Sequence, residues 1–512
     1  MLKAGRATIP TKLLQIKGPR WKASPEVLKI LRTCKEIYKN WQDVGKSKDH
    51  QLVVELKKTK KKKLRSKLRT EKALDRQKLY QEIMDNPNTQ HFYRLINRNR
   101  NGRNAVANCI NINGKFIVSP QEQRQCFANY HEDLSLPKED QYDNNYVNLC
   151  KIRQKYIQDA LQDIELPDLF SKQEVEKAID SLNARKSCDE FGLTAEHLKY
   201  AKATVSPILT GIFNNILKTR KVPDLFKTGI LSPVLKREKD PTLIANYRGI
   251  TVTAIIGKTF EFAFLYKLKL KSETELQFGF TTGLCPLMSS LVISESRYEN
   301  KKENEDFLIT LMDVKSAFDV VQHDIIMDKM WYQGIHPIYW KILTELYDGL
   351  STKVKWLDGI SSSFNIKQGV RQGGILSTHL YKIFVQDLLT ELEDNSIGYH
   401  LGNIYVGAPT CADDFAFISK NKYEMQVMLN VVSRYAKEHH YSIHPTKTQL
   451  IDCSKKKSNY KWTLDNHELH TTQSGTHLGI IRSENNENSI NVHERIQAAR
   501  RTKYALMGSW IH

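Results

Sequence analysis

Asp413 and Asp414 stand side by side inside Tyr405-Val-Gly-Ala-Pro-Thr-Cys-Ala-Asp-Asp-Phe-Ala-Phe-Ile418. A third acid, Asp313, ends the apolar run Phe307-Leu-Ile-Thr-Leu-Met312. Two strand-like stretches that each deliver acid to one point would make a site for two divalent cations. Such a pair, about 3.5–4 Å apart, clamps the attacking and leaving oxygens of an in-line phosphoryl transfer. Taken singly, an Asp doublet is ordinary turn chemistry and an Asp after a strand is an ordinary cap. The pairing carries the inference.

The elements around these acids follow from pattern. The run ending at Asp313 reads as a buried strand, with a helix starting near His323-Asp324. Ile404-Tyr-Val406 and Phe415-Ala-Phe-Ile418 read as the two arms of a hairpin with the acids at its tip. Between the acids lies Gln368-Gly-Val-Arg-Gln-Gly-Gly-Ile-Leu-Ser377, a loop entering an amphipathic helix. Its glycines let backbone approach a flat or phosphorylated ligand. Its spacing is neither a phosphate-cradling nor a dinucleotide fingerprint. Helical spacing recurs at Ser171–Leu182, Thr204–Thr219, Gly257–Leu270 and Glu424–His439, and Asn113-Gly114 reads as a hairpin turn.

The chain has 512 residues, 40% of them apolar, enough for a globular protein with a sizeable core. Its net charge of +20 is unevenly placed. Residues 1–100 hold 27 Lys/Arg against 9 Asp/Glu, whereas the rest is close to neutral. Residues 52–84 read as one long helix with Leu52, Leu56, Leu64 and Leu68 on one face. The other face carries Lys58, Lys60, Lys61, Lys62, Lys63, Arg65, Lys67 and Arg69. So long a run of one sign points to a nucleic-acid contact, with a solvated helix face as the bland alternative. The eight cysteines have no C-x-x-C spacing, which argues for a reducing compartment and against a disulfide scaffold. There is no secretory signal and no eighteen-residue apolar window, so the expected location is nucleus or cytoplasm, without a membrane partner.

Read in order, further blocks join the acids. They are Leu182-Asn-Ala-Arg-Lys-Ser-Cys-Asp-Glu-Phe-Gly-Leu-Thr-Ala-Glu-His-Leu198, Leu231–Lys236 with Ala245–Thr251, Ile256–Glu261, Gln277-Phe-Gly-Phe280, His444–Gln449 and Thr476–Ile480. Over about residues 170–485 this series resembles the polymerase core of a LINE-type (non-LTR retrotransposon) reverse transcriptase. The resemblance implies an α+β right-hand polymerase, with palm, fingers and a truncated thumb, behind a basic helical N-terminal region. The expected boundaries are 1–165 for the basic linker or RNA-binding region, 166–485 for fingers and palm, and 486–512 for the start of a thumb or a basic helix.

The resemblance also implies roles. Asp313, Asp413 and Asp414 would hold two Mg²⁺ ions, with Mn²⁺ as a substitute, and Lys447 would assist pyrophosphate departure. Phe318 would be a steric gate against a ribose 2′-hydroxyl, or else a core aromatic. Gln372 and Gly373 would border the nascent base pair. Arg248 and Lys258 would meet the triphosphate or template backbone, or be surface charge. Partners would be an RNA template, a DNA primer, deoxynucleoside triphosphates and an endonuclease supplied elsewhere, the chain being a piece of a longer element protein. The chain departs from the pattern at Cys411, where an aromatic is usual, at Thr281, where Arg is common, and at Thr378, where Pro is usual. The rival expectations are an inactive relic that only binds RNA and, more distantly, an intron maturase.

Overall fold

The computed structural model describes residues 24–46, 50–85, 109–138, 142–161, 164–236, 239–271, 274–303, 305–444, 446–457 and 459–507. The chain divides into two compact units, one spanning 105–494 and the other 8–104 with 495–512.

In the smaller unit, α1 (Pro25–Asp43) is followed by α2 (Gln51–Lys57), a π-helical stretch Lys58–Leu64 and α3 (Arg65–Asp85). The expected long basic helix is thus present, widened in its middle. Ser24 caps α1 by accepting from the Val27 N–H, and Pro25 at the first helical position has no N–H to orphan. Val27, Cys34 and Leu64 form the buried seam, with Ile30, Leu31, Leu56 and Leu68 against it.

The larger unit opens with the hairpin Ile110–Ile112 and Lys115–Ile117, turned by Asn113 and Gly114, both at positive φ. Helices α4 (Pro120–Leu134) and α5 (Asn145–Ala160) follow. Sequence pattern groups these helices with the basic head, whereas both pack within the larger unit. Phe127 of α4 is fully buried, 5.1 Å from the Tyr247 ring and 4.5 Å from that of Trp356. The Trp356 indole donates to Gln123 at 2.8 Å. From α5, Arg153 reaches Asp328 at 3.1 Å.

Two four-stranded sheets then interleave along the chain. β1 (Thr228–Leu235) and β2 (Tyr247–Thr253) open the first and lead into α6 (Ile255–Leu268). β3 (Leu308–Met312) begins the second and is followed by α7 (His323–Tyr332). β4 (Ser351–Trp356) and β5 (Gly359–Asn365) return to the first sheet, in order β2-β1-β4-β5, before α8 (Leu376–Asp394). β6 (Thr410–Cys411), β7 (Asp414–Ser419), α9 (Lys422–Glu438) and β8 (Gln449–Asp452) complete the second, in order β6-β7-β3-β8.

β3 is central and buried along its whole length, which is why it reads as an unbroken apolar run. Its period of two divides two cores. Leu308 and Met312 join Phe415, Phe417 and Leu450 beneath the apolar faces of α8 and α9. Ile309 and Leu311 face Ala416, Ile418, Ile451 and Tyr399 on the other side. The final helix spans Glu487–Met507, inside the 486–512 segment expected to hold a thumb start or a basic helix.

Candidate active site at the end of the central sheet

Register brings the acids together. Phe415 of β7 pairs with Met312 of β3 in antiparallel fashion, so the next step along each strand sets Asp414 across from Asp313. Cys411 pairs with Asp414, leaving Ala412 and Asp413 as the two-residue tip of the β6–β7 hairpin, with Ala412 at φ +59°. The first arm is therefore Thr410–Cys411. The expected arm, Ile404–Tyr405, pairs instead with His400–Leu401.

A neighbouring segment braces this tip. Thr410 exchanges backbone bonds with Leu276 and Phe278, both at 2.8 Å. The Gln277 side-chain oxygen accepts from Ala412 N at 2.8 Å and from Gly279 N at 2.9 Å. A side chain at 279 would meet Ala412 N at 2.2 Å, so only glycine fits there.

Burial and neighbouring charge raise the carboxyls of both hairpin acids. Burial pushes the Asp414 carboxyl up to about 6, Asp413 and Asp313 push in the same direction, and Arg248 opposes them. Asp413 is raised for the same first reason, again with Arg248 in opposition and Asp313 in support. Partly desolvated carboxylates that repel one another are stabilised by a hard cation with oxygen ligands, the preference of Mg²⁺. Among the described residues no three acidic or other ligating side chains are drawn into a closed shell. Asp313 turns to Lys447, whose Nζ lies 3.4 Å from Oδ2. Both partners are about half exposed, so that pair is weak and exchangeable. The backbone oxygen of Asp313 accepts from His444 N at 3.0 Å, which seats the segment carrying Lys447.

Phe318 lies stacked on Tyr381 of α8 at 4.5 Å, with Phe280 edge-on at 6.1 Å. It is partly exposed rather than sealed in the core. The glycine loop is laid against β2. Thr251 N donates to Gln372 O at 2.9 Å, and a side chain at Gly373, whose φ is +124°, would strike Thr251 O at 2.6 Å. The loop is anchored from behind by Glu261, whose carboxylate accepts from Ile375 N and Leu376 N at 2.7 and 3.2 Å as α8 begins. The same carboxylate meets Arg371 at 3.3 Å in a buried pair. Arg371 also donates to Phe226 O at 3.0 Å.

Arg248 sits exposed on β2, near enough to act on both hairpin acids. Lys258 is placed differently. It stands on α6 with Glu261, Arg371 and Asp189 as its charged neighbours, and burial holds its amine below the usual lysine range. Lys236, which follows β1, ends the Leu231–Lys236 block but is given no role by the sequence reading. Burial lowers its amine first, then Arg248 and Lys447, against Asp319 and Asp313. Lys236 and Arg248 are carried by the β1–β2 hairpin and Lys447 by the segment after α9, and both Arg248 and Lys447 act on Lys236 beside the acids.

In the smaller unit, Lys58, Lys60, Lys62, Lys63, Arg65 and Arg69 are exposed, while Lys67 is half-buried in an ion pair with Glu26. Lys61 lies in the same π-helical stretch. Short π segments recur at functional sites.

Residues 235–481 match the family described as Reverse transcriptase (RNA-dependent DNA polymerase). The RNA-directed DNA polymerase from mobile element jockey of Drosophila melanogaster is 24% identical over 422 residues, covering 78% of this chain and 44% of that protein. The corresponding protein of Drosophila funebris is 25% identical, covering 69% of this chain and 39% of its own length. A probable RNA-directed DNA polymerase from transposon X-element of Drosophila melanogaster is 28% identical over 185 residues, 35% of this chain and 20% of that one. The chain spans under half the length of these curated relatives. With the ordered motifs and the strand register, these matches lead to one assignment: the chain carries a reverse transcriptase domain, related to the RNA-directed DNA polymerases of non-LTR mobile elements.

Proposed function

We propose that the chain is an RNA-directed DNA polymerase that adds deoxynucleotides to a primer 3′-end by a two-metal mechanism, as part of non-LTR retrotransposition. One observation carries this reading: the β3–β7 register that sets Asp313 opposite Asp414, with Asp413 at the adjoining hairpin tip. In this reading the sheet β6-β7-β3-β8 with α8 and α9 is the palm. The sheet β2-β1-β4-β5 belongs to the fingers.

Asp313, Asp413 and Asp414 would hold two Mg²⁺ ions, or Mn²⁺ in their place. When bound, the ions activate the primer hydroxyl and neutralise the triphosphate. The protein's own groups do the positioning. Lys236 and Arg248 offer positive charge where a triphosphate would lie, and Lys447 stands beside Asp313, ready to stabilise or protonate the leaving pyrophosphate. Phe318, fixed between Tyr381 and Phe280, presents a flat wall to the sugar edge. Gln372 and Gly373 bring backbone and amide close to the new base pair. The basic helix of the smaller unit grips template phosphates. The nicking endonuclease would come from elsewhere, and the site of action would be nucleus or cytoplasm; among the described residues no helix is long and apolar enough to cross a membrane.

Primer extension tests the proposal. Purified protein with an RNA template, a DNA primer and Mg²⁺ should lengthen the primer, and EDTA should stop it. Binding of RNA without extension in Mg²⁺ or Mn²⁺ would favour the relic instead.

A further inference from the structure

Asp319 is a carboxylate near the active site with no place in the metal chemistry. It lies beyond the turn at Ser316 (φ +54°), and its own N–H donates to Ser316 O at 2.7 Å. The charges that act on Asp413 are Arg248 and Asp313, and those on Asp414 are Asp413, Asp313 and Arg248, whereas Asp319 answers to Lys236. Its carboxylate instead faces the glycine loop. Both of its oxygens accept from Gln372 Nε2, at 3.2 and 3.4 Å. Together they line a small cleft with His131 and Thr251.

The backbone around this contact is doubly latched. Val370 N donates to Phe318 O and Gly369 N to Val321 O, both at 2.7 Å. The His323 ring bonds Gly369 O at 2.8 Å, and a side chain at Gly369 would strike Asp319 O at 2.7 Å. The main chain of the loop is therefore fixed without the Asp319 carboxylate. What that carboxylate adds is the direction of one amide.

We infer that Asp319 is a positioning residue that orients the Gln372 side chain toward the incoming nucleotide. This rests on the polymerase reading above. Burial pushes the Asp319 carboxyl up to about 6, with the Gln372 hydrogen bond and Lys236 opposing the shift. At neutral pH the ionised group accepts from the amide through both oxygens, fixing which end of Gln372 points outward.

The test is a double-mutant cycle on the full chain, with kcat and KM for a deoxynucleotide measured on saturating primer–template. Asp319→Ala and Gln372→Ala should each raise KM about tenfold, the size of one charge-assisted side-chain hydrogen bond, with little change in kcat. The double variant should be no worse than either single one, because both remove the same interaction. Asp319→Asn, whose amide oxygen can still accept, should recover most of the loss. Should Asp319→Ala melt at low temperature, Asp319→Glu keeps the charge but displaces the oxygens by a methylene, and it should raise KM at unchanged melting temperature. Multiplying effects, or lost stability with KM unchanged, would overturn this inference alone. A wild-type chain that extends no primer overturns the polymerase reading and this inference with it.

Discussion

The acid end of the central sheet and the basic helix of the smaller unit concentrate charge by opposite means. Along Lys58–Arg69 the cations are neighbours in sequence and most of them are exposed. Asp313 and the Asp413–Asp414 pair are a hundred residues apart and meet only because β3 and β7 pair in one register. Burial raises both hairpin carboxyls. Charge collected along one helix is redundant, and removal of any member is shared among the rest. Charge collected by tertiary register has no spare member.

The largest effect expected from this contrast is at the hairpin tip. Asp413→Asn should lower extension by about a thousandfold or more, the several kcal/mol that metal-assisted charge neutralisation supplies. A variant that keeps more than a few per cent of parental activity would remove Asp413 from the metal site. Next comes Phe318. Replacing it with Ala should raise the ratio of ribo- to deoxynucleotide incorporation by about ten- to a hundredfold, the range one shape contact commands. An unchanged ratio in an active variant would return Phe318 to a packing role against Tyr381. The mildest effect belongs to the helix. Changing Lys58, Lys60, Lys61, Lys62 and Lys63 to Gln should flatten the dependence of log RNA affinity on log salt by about 0.7 for each phosphate left unneutralised. Single changes in that set should be hard to detect, and a large effect from any one of them would break the redundancy argument.

What is legible in sequence follows the same division. Asp313 is legible because a strand buried on both faces reads as an apolar run with a sharp end. The basic helix is legible because its signal is local. The hairpin is half legible: Asp413 and Phe415–Ile418 read as tip and arm and are so, whereas Asp414 already stands on β7 and the other arm reads as 404–406 and is not. Pro409, which has no N–H to give a ladder, separates that strand from Thr410–Cys411, and Gly407 fits tightly under Tyr405. Groups that act across elements leave no local mark. Lys236 reaches the acids through the β1–β2 hairpin, Glu261 caps α8 from α6, and Gln277 props Ala412 from another segment. Helices α4 and α5 are poorly marked in the sequence, whereas their burial depends on partners such as Tyr247, Trp356 and Asp328 far along the chain.

The central claim is that chemistry and grip reside in separate places, and one crossed measurement tests it. Extension rate at saturating primer–template and RNA affinity would be determined side by side for Asp413→Asn and for the five-lysine variant. The account predicts that Asp413→Asn loses extension and keeps affinity within about twofold, the spread of a substitution that removes no binding contact. The five-lysine variant should lose affinity and salt dependence while retaining its rate once saturated at low salt. If either variant lost both properties together, or if the five-lysine protein bound RNA as tightly and as salt-dependently as the parent, the division of labour would be contradicted.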